Sequence, residues 1–306
     1  MSYRAGALFP YRLVTSVWDT LLKKFPHRVT LVPETPVLSI TTSSTSYLVK
    51  TKSKIIRSQH VVHATNAFAA ELVPNLRGRL TGALAHMTAQ RPGPGFSDHD
   101  GRQSWSVFYD KGFEYVTQRP RRTDGTPGDV MLGGGWTRSK EEGLDMLGEY
   151  DDSKTDTFTL AYLFGIFGSV FTKWAGGDAP PVAWTGTIGI TGDRLPFVGL
   201  LNPEIAGRKL PSKANGKPEK LHDVDGGSGM APAGEWISAG FNGEGMVFAW
   251  LCGVALGMMM LGKEHAGATI PGIPSEKLGE WFPRELRISK ERLRRAALKN
   301  LVEGVM

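Results

Sequence analysis

The sequence is poor in cysteine, and this limits the chemistry that it can support. Cys252 is the single thiol among 306 residues, so the chain cannot form an internal disulfide or a metal site made of cysteines. The seven histidines are dispersed, and none has the H-x-H or H-x-x-x-H spacing of a metal-binding pair. We therefore predict no metal site. A single thiol is compatible with a reducing compartment such as the cytoplasm.

The chain also lacks the apolar segments that direct proteins to membranes. Its first ten residues, MSYRAGALFP, contain no apolar core of a secretory signal. The uncharged run over 246–262 falls short of the roughly 20 residues that a bilayer span needs. Gly253 and Gly257 have a spacing that also occurs where membrane helices pack. We interpret the run as a buried helix with its small residues against a sheet, and we expect no membrane partner and a cytoplasmic location.

The charge of the chain gives little support for nucleic acid as a partner. The formal net charge is +6, but the segment from Arg284 to the end carries seven Lys/Arg and three Glu, so the rest is nearly neutral. Residues 285–302 have the pattern of one basic amphipathic helix. We expect this helix to dock through Leu286, Ile288 and Leu293 rather than to contact phosphate.

The order of the predicted elements indicates a mixed α/β protein. Residues 10–24 are predicted to be a helix, because Pro10 suits a first turn and apolar residues follow at helical spacing. Strands are predicted over 47–51, 54–58, 60–65, 80–90, 104–109, 113–118, 129–135 and 236–239, with a helix over 152–173, a glycine-spaced loop over 185–199 and a long surface excursion over 202–235.

A glycine-rich turn after the strand at 236–239 is the most specific candidate for a ligand site. The segment Gly240-Phe-Asn-Gly-Glu-Gly245 leads into a helix, and helix N-termini carry free N–H groups and a partial positive charge. This predicts an acceptor-rich or anionic ligand on the turn. The alternative is tight packing of helix against strand without a ligand. Glu244 either caps its own helix or meets the ligand.

Four segments resemble those of one enzyme family. The ending W-I-S-A-G-F-N-G-E-G-M-V resembles the C-terminal flavin motif of the FAD-dependent oxidoreductases of the D-amino-acid oxidase superfamily, most of all its fungal branch related to sarcosine and amine oxidases. GALFPYRLVTSVWDTLL, TPVLSI with HVVHATNAFAAELVP, and GITGDRLPFVG resemble further segments of that family, in family order. The resemblance spans nearly the whole chain.

The resemblance implies a Rossmann-like FAD-binding α/β domain interrupted by a substrate domain with a mixed, largely antiparallel sheet. The expected boundaries are 1–78 for the adenine-side strands, 79–183 for the substrate domain, 184–283 for the flavin-side loop and helix, and 284–306 for the basic C-terminal helix.

The resemblance also implies positions for the cofactor. Backbone around Val37 would meet adenine, and residues 64–66 would lie near the pyrophosphate. The complete set is Val37, Ala64, Thr65, Asn66, Gly240, Phe241, Asn242, Gly243, Glu244, Gly245 and Met246. Gly186 falls roughly where some relatives attach flavin through cysteine, so any bound FAD is expected to be non-covalent.

The sequence departs from the family pattern in its first part. No G-x-G-x-x-G is present, and the chain begins in the middle of the family pattern. We therefore expect the loss of most FAD affinity and a gap in the sheet, with an edge at 236–239 that something must occupy. The sequence leaves open whether residues 1–9, the 60–65 strand, a second copy or a separate partner chain closes that edge. The stretch 129–135 has no lysine, whereas some oxidases place one near the flavin to activate oxygen.

Four residues are candidates for a substrate site. His86 lies on a strand that the resemblance places beside the flavin. Tyr109 and Tyr115 could form aromatic walls that suit an amine, and Arg138 could clamp a carboxylate in bidentate fashion. The alternatives are a polar edge residue for His86, core packing for the tyrosines and a solvated strand end for Arg138.

The function implied by the resemblance is oxidation of C–N bonds in amines or amino acids, with FAD as cofactor and a small amine or amino-acid-like molecule as substrate. The alternative is a cofactor-free enzyme, or a small-molecule-binding protein, that keeps the substrate cleft and uses His86, Tyr109 or Arg138 for acid–base chemistry. Asp193 and Arg194 are expected to form only a local ion pair.

Overall fold

The computed structural model describes residues 6–211, 230–265 and 267–303. Its strands are β1 (Val37–Thr42), β2 (Tyr47–Thr51), β3 (Ile55–Ser58), β4 (His60–His63), β5 (Leu80–Gln90), β6 (Ser104–Tyr109), β7 (Gly112–Gln118), β8 (Val130–Gly134), β9 (Val182–Thr191), β10 (Phe197–Leu201) and β11 (Gly234–Ala239). Its helices are α1 (Pro10–Lys24), α2 (Ala69–Leu72), α3 (Thr157–Gly165), α4 (Phe167–Val170), α5 (Pro203–Ala206), α6 (Gly245–Met260), α7 (Leu278–Trp281), α8 (Lys290–Arg295) and α9 (Lys299–Glu303).

The chain divides into two compact units. Unit 1 comprises Met1–Arg79 and Thr191–Ala297, and unit 2 comprises Leu80–Ile190 and Leu298–Met306. Each unit contains helices and antiparallel strand pairs, so the predicted mixed α/β fold class is confirmed.

Unit 1 contains two three-stranded sheets. One has the order β1-β2-β3, and the other has the order β10-β11-β4, in which β11 is antiparallel to β10 and parallel to β4. All six residues of β11 are buried. A core that includes Trp236, Cys252 and Met259 packs α6 against this central strand, because burying apolar area is the main favourable term in folding.

The strand at 236–239 therefore has a neighbour on each side, so this edge is occupied. Of the alternatives that the sequence left open, pairing with the 60–65 strand is the one present: Trp236 pairs with Val62 and Ile237 with His63. The pairing involves none of residues 1–9, of which 1–5 lie outside the described part of the chain.

Unit 2 is built on one five-stranded sheet of order β6-β7-β8-β5-β9. Side chains alternate between its faces: along β7, Glu114, Val116 and Gln118 are buried, whereas Tyr115 is exposed. The buried side chains of Val116, Leu132, Leu163 and Phe167 form a core with α3 and α4 on that face. Placing helices over one face leaves the other face free for contacts.

Helix α1 has the predicted bounds and begins with a proline at its first positions. However, it contains no buried residue, and Leu13 and Val14 are 45% and 54% exposed. Leu13 and Val14 on its apolar face are thus largely uncovered in the part of the chain that the structure describes, whereas Val17, Leu21 and Leu22 are partly buried.

Two predictions from local pattern were wrong in the same way. The glycine-spaced loop over 185–199 belongs largely to two strands, β9 and β10. The single amphipathic helix over 285–302 is instead divided into α8 and α9 after a 3₁₀ turn, and Ser289 caps α8 by accepting a hydrogen bond from the N–H of Arg292 at 3.1 Å.

Arg292, within α8, is buried and ties this part of the tail to residues 193–196; it is 4% exposed. Its guanidinium donates to both oxygens of Asp193, at 2.8 and 3.2 Å, and to the carbonyls of Leu195 and Pro196. Asp193 therefore pairs with Arg292, and the predicted local pair with Arg194 is wrong.

Two further expectations concern long segments. In α6, Ala255 is fully buried, but a Cβ placed on Gly253 or Gly257 would meet nothing within 4 Å, so these two glycines do not lie against a sheet. Of the surface excursion predicted over 202–235, residues 212–229 lie outside the described part of the chain.

Within the described residues, no helix combines the length and apolarity needed to cross a bilayer. In the same residues, no group of three or more His, Cys, Asp or Glu could hold a metal ion.

Candidate functional site

The carboxyl ends of β4 and β11 meet at one edge of the sheet in unit 1, because the two strands are parallel and in register. Residues 64–66 follow β4, and the glycine turn follows β11. Ligands of open α/β sheets bind outside the carboxyl ends of parallel strands. This edge is therefore the candidate ligand site of unit 1.

Asn66 joins the two segments. Its side-chain oxygen Oδ1 accepts hydrogen bonds from the backbone N–H groups of Gly240 at 2.8 Å and Phe241 at 3.2 Å. Asn66 itself has a φ of 47°, a left-handed conformation that asparagine tolerates better than most residues. The side chain therefore fixes where the glycine turn begins.

A second amide holds the middle of the turn. Asn242 accepts a hydrogen bond from the N–H of Thr191 at 2.9 Å, and its Nδ2 donates to Thr191 Oγ1 at 3.0 Å and to the carbonyl of Gly240 at 2.6 Å. The chain runs through positive φ at Gly240 (79°), Asn242 (54°) and Gly243 (83°). Glycine takes up such φ values at the least cost, which explains the composition of the segment.

Helix α6 begins directly after this turn without a side-chain cap and without an acidic residue in its first turn. Glu244 does not cap the helix with its side chain. Its backbone carbonyl accepts from the N–H groups of Val247 and Phe248, and its own N–H donates to the carbonyl of Phe241. A Cβ placed on Gly245 would meet nothing within 4 Å. The helix thus starts with free N–H groups beside open space, which suits an acceptor-rich ligand.

The remaining predicted cofactor residues are arranged unevenly. Ala64 and Thr65 are exposed at the end of β4, next to Asn66. Met246 is 59% exposed on the first turn of α6. Val37 opens β1, where it pairs with Thr51 in the other sheet of the unit. The structure therefore brings residues 64–66 and 240–246 together, whereas no hydrogen bond or pairing of the described residues joins Val37 to them.

A buried ion-pair network, which sequence reasoning missed, lies in the same sheet. His63 Nε2 lies 2.6 Å from Glu235 Oε1, and Arg208 donates to both oxygens of Glu235 and to the carbonyl of Leu72. Burial alone would raise the pKa of Glu235, but the hydrogen bonds from His63 and Arg208 outweigh it, so this pKa is lowered. No local motif signalled the network, since its three members come from distant parts of the chain.

His86 is buried in unit 2 and has a partner. Its Nε2 accepts a hydrogen bond from the backbone N–H of Asp156 at 2.8 Å, and the side chain of Asp156 in turn caps α3 by accepting from Thr159. Burial lowers the pKa of His86, against a smaller opposing effect of the Asp156 charge. These contacts place His86 at the start of a helix, on the helix-covered face of the sheet.

Tyr115 lies on the opposite face. It pairs with Gly133 across β7 and β8, and its ring covers that glycine so closely that a Cβ there would meet Tyr115 Cζ at 2.2 Å and Met87 Sδ at 2.3 Å. The side chain is 44% exposed, next to the exposed ring of Phe113. An aromatic surface thus lines the face that α3 leaves open.

Tyr109 and Arg138 come together. The Arg138 guanidinium lies 4.5 Å from the ring centroids of both Tyr109 and Tyr162. The Tyr109 hydroxyl donates to Glu114 Oε1 at 2.8 Å, and Glu114 is fully buried with its other oxygen unpaired. The four substrate-site candidates therefore do not form one cluster, because only Tyr109 and Arg138 are in contact.

Comparisons with known proteins agree with the resemblance seen in the sequence. Residues 1–258 match the family model described as "DAO: FAD dependent oxidoreductase". None of the curated proteins matches the chain.

Solved structures match the fold at low sequence identity. Iminodiacetate oxidase from Chelativorans sp. BNC1 matches with a TM-score of 0.53 and 14% identity, over 89% of this chain and 58% of that chain. NikD, an unusual amino acid oxidase, matches with 0.53 and 14%, over 85% and 57%. Fructosyl amine:oxygen oxidoreductase (Amadoriase I) from Aspergillus fumigatus matches with 0.50 and 12%, over 87% and 52%. The chain thus spans little more than half the length of these structures.

Proposed function

The chain belongs to the DAO family of FAD-dependent oxidoreductases, and from that premise we propose that the turn over 240–246 holds the flavin end of FAD. The observation that carries the proposal is the uncapped start of α6 behind a turn fixed by Asn66 and Asn242. Flavin presents ring nitrogen and carbonyl acceptors on its pyrimidine edge, and the partial positive charge of a helix N-terminus favours negative charge there.

The donor set fits that end of the cofactor. Main-chain N–H groups at the start of α6 need no charged side chain, and Gly245 leaves room for close approach. Residues 64–66 at the end of β4 are proposed to lie along the pyrophosphate and Val37 near adenine, as the family resemblance implies. Bound FAD would supply the capacity to accept hydride from a C–H bond next to nitrogen.

We propose a non-covalent cofactor, because the single thiol is out of reach of a ligand on the turn. Cys252 is 1% exposed within the core beneath α6, and burial raises its pKa to about 11. A buried thiol with a raised pKa is a poor nucleophile.

The proposed substrate class is an amine or amino acid. It follows from the family and from the amine and amino-acid oxidases that the chain resembles. The fungal amine-oxidase branch stays a prediction from sequence. Tyr115 has the best support as a substrate-facing residue, because it lies exposed beside Phe113 on the open face of the sheet. His86, Tyr109 and Arg138 remain predictions as catalytic groups, and their contacts favour other roles.

Association with a second copy or a separate chain also remains a proposal. It is supported by the uncovered apolar residues of α1 and of the first turns of α6, where Trp250 is 63% exposed. Exposed apolar patches of this kind mark interaction surfaces, and the molecular mass in solution would test it.

Titration of the chain with FAD, followed by flavin fluorescence and visible absorbance, tests the cofactor proposal. We expect wild type to perturb the flavin spectrum and Gly245→Leu to weaken binding about tenfold or more, because the added side chain occupies the space before α6. Gly253→Leu is the matched control, since it adds the same side chain to open space two turns further along the helix. Absence of any spectral change with wild type would show that this chain alone is not flavin-dependent. Equal binding by the two variants would remove the turn from the site.

A second candidate function is binding or non-redox conversion of a small molecule without a cofactor. The observation that favours it is the contact of Arg138 with Tyr109 and Tyr162 beside a cleft in unit 2. Turnover of a substrate without added flavin or oxygen would support it, and activity that appears only with FAD would exclude it.

A further inference from the structure

A cleft of about 430 Å³ opens in unit 2 beside β6 and the junction of α3 and α4. Its apolar wall includes Val107, Ile166 and Val170, and its polar end is formed by Arg138, Tyr109 and Tyr162. The volume lies within the range of small-molecule pockets, which combine apolar walls with a few convergent polar groups. The residues that line the cleft belong to unit 2, whereas the glycine turn belongs to unit 1.

Arg138 is positioned but not neutralised. Its guanidinium carbon lies 4.5 Å from the centroid of each phenol ring, and the two rings lie 6.5 Å apart at an angle of 63°. No carboxylate of the described residues lies within 4 Å of the guanidinium. Contact with two rings limits the positions that the guanidinium can take, and this planar group carries five N–H donors. Such a fork matches a carboxylate, which has two coplanar oxygens.

The two tyrosines contribute unequally to the cleft. The Tyr109 hydroxyl is already directed at Glu114, which lies behind it and is not part of the cleft wall. Tyr162 keeps its hydroxyl proton over a wide pH range, because burial, and next the charge of Glu114, raise its pKa to about 12. The Tyr162 hydroxyl can therefore act as a donor beside Arg138.

A glycine in the wall keeps part of the cleft open. Gly165, at the end of α3, lines the cleft, and a Cβ built there would meet nothing within 4 Å. An apolar ligand body can rest on this small residue and on the aliphatic wall, while its charged end meets Arg138.

We propose that this cleft binds small monocarboxylates with an apolar body, held by Arg138 and Tyr162 at the charged end. The proposal does not depend on FAD or on the cofactor site of unit 1. A neutral ligand of the same length should bind more weakly, since it cannot form the charge-assisted pair with the guanidinium.

The test compares hexanoate with hexan-1-ol as probes, using the full chain without added flavin and following chemical shifts or heat of binding. We expect hexanoate to bind about tenfold more tightly than the alcohol, as one charge-assisted contact predicts. Arg138→Gln should abolish this preference and leave the weak affinity for the alcohol unchanged. Tyr162→Phe should reduce hexanoate affinity by a smaller factor.

A pair of glycine variants locates the binding. Gly165→Leu should block both probes, because the new side chain fills the cleft. Gly168→Leu adds the same side chain to open space in α4 outside the cleft and should bind like wild type. The thermal unfolding of each variant shows whether it is folded. No binding of hexanoate at millimolar concentration, equal affinity for the two probes, or an undiminished preference in Arg138→Gln would each overturn the proposal.

Discussion

Glu235 in unit 1 and Glu114 in unit 2 are both buried carboxylates, 1% and 0% exposed, but their surroundings differ. Glu235 meets His63 and Arg208, so its charge is compensated. Glu114 accepts hydrogen bonds from the Tyr109 hydroxyl and the N–H of Gly135, has no basic side chain within 4 Å among the described residues, and leaves one oxygen without a partner. The first carboxylate stabilises its sheet, whereas the second orients a tyrosine at a cleft.

The candidate sites of the two units differ in the groups that donate hydrogen bonds. In unit 1 the donors are main-chain N–H groups, and the side chains of Asn66 and Asn242 only hold the turn in place. In unit 2 the donors are side chains, with Arg138 in contact with two phenol rings. A main-chain site is suited to a large acceptor-rich cofactor, and an arginine without a carboxylate partner is suited to a small anion.

The largest effect is expected from Glu235→Gln. Removing one member of a buried ion pair leaves Arg208 uncompensated, so we expect a loss of about 3–5 kcal/mol in the free energy of unfolding. Because the pKa of Glu235 is lowered in the folded protein, its contribution is present above the ordinary value of 4.5 and is lost as the pH falls through the folded-state pKa. Urea unfolding at neutral pH measures the loss, which should shrink in acid.

Two control variants sharpen this comparison. Glu204→Gln removes an exposed pair with Lys290 and should cost at most about 1 kcal/mol. Glu114→Gln removes an uncompensated buried charge but keeps an acceptor for Tyr109, so stability should change by less than about 1 kcal/mol in either direction. A cost for Glu114→Gln as large as that for Glu235→Gln would show that the two carboxylates are not different in kind.

Replacing two glycines that have different surroundings should change the free energy of unfolding by less than Glu235→Gln does. Gly133→Ala in unit 2 would force the new methyl against Tyr115 and Met87, which should cost about 1–3 kcal/mol. Gly253→Ala in the exposed middle of α6 in unit 1 should instead stabilise by up to about 1 kcal/mol, through helix propensity. Thermal unfolding measures both. A neutral Gly133→Ala would mean that the Tyr115 ring is not held against the sheet.

Local pattern predicted those elements that local physics determines. The helix over 10–24 and the strands over 47–51, 80–90 and 104–109 have the predicted bounds, because proline placement and side-chain period act within the element itself. The prediction for the tail missed the contact of Arg292 with an aspartate 99 residues away, because no periodicity encodes such a contact. The segment over 185–199 failed for the same reason, since its strands depend on partners elsewhere in the chain.

In the candidate site too, the local turn was predictable from the sequence, whereas the contacts between distant residues were not. The glycine content of residues 240–245 indicated the turn, because glycine marks backbone with positive φ. That Asn66 fixes this turn from 174 residues away could be approached only through the family resemblance. The network around Glu235 had no signal in the sequence, because a carboxylate looks the same whether it will be buried or solvated.

The smallest predicted effect is a pH dependence that arises from His86 in unit 2. Burial lowers the pKa of His86 below its ordinary value of 6.5, so between that value and the folded-state pKa the unfolded chain binds more protons than the folded one. The free energy of unfolding should therefore fall as the pH falls below 6.5, by at most about 1.4 kcal/mol per pH unit from this one group. His86→Gln keeps an acceptor for the N–H of Asp156 but cannot titrate, and it should lose this part of the slope. Urea unfolding at several pH values down to about pH 5 compares the two proteins. His60, whose pKa burial also lowers, contributes equally to both and so cancels in the difference. Parallel curves would show that His86 titrates alike in the folded and unfolded chain, and its assignment as a buried neutral acceptor at the start of α3 would then be wrong.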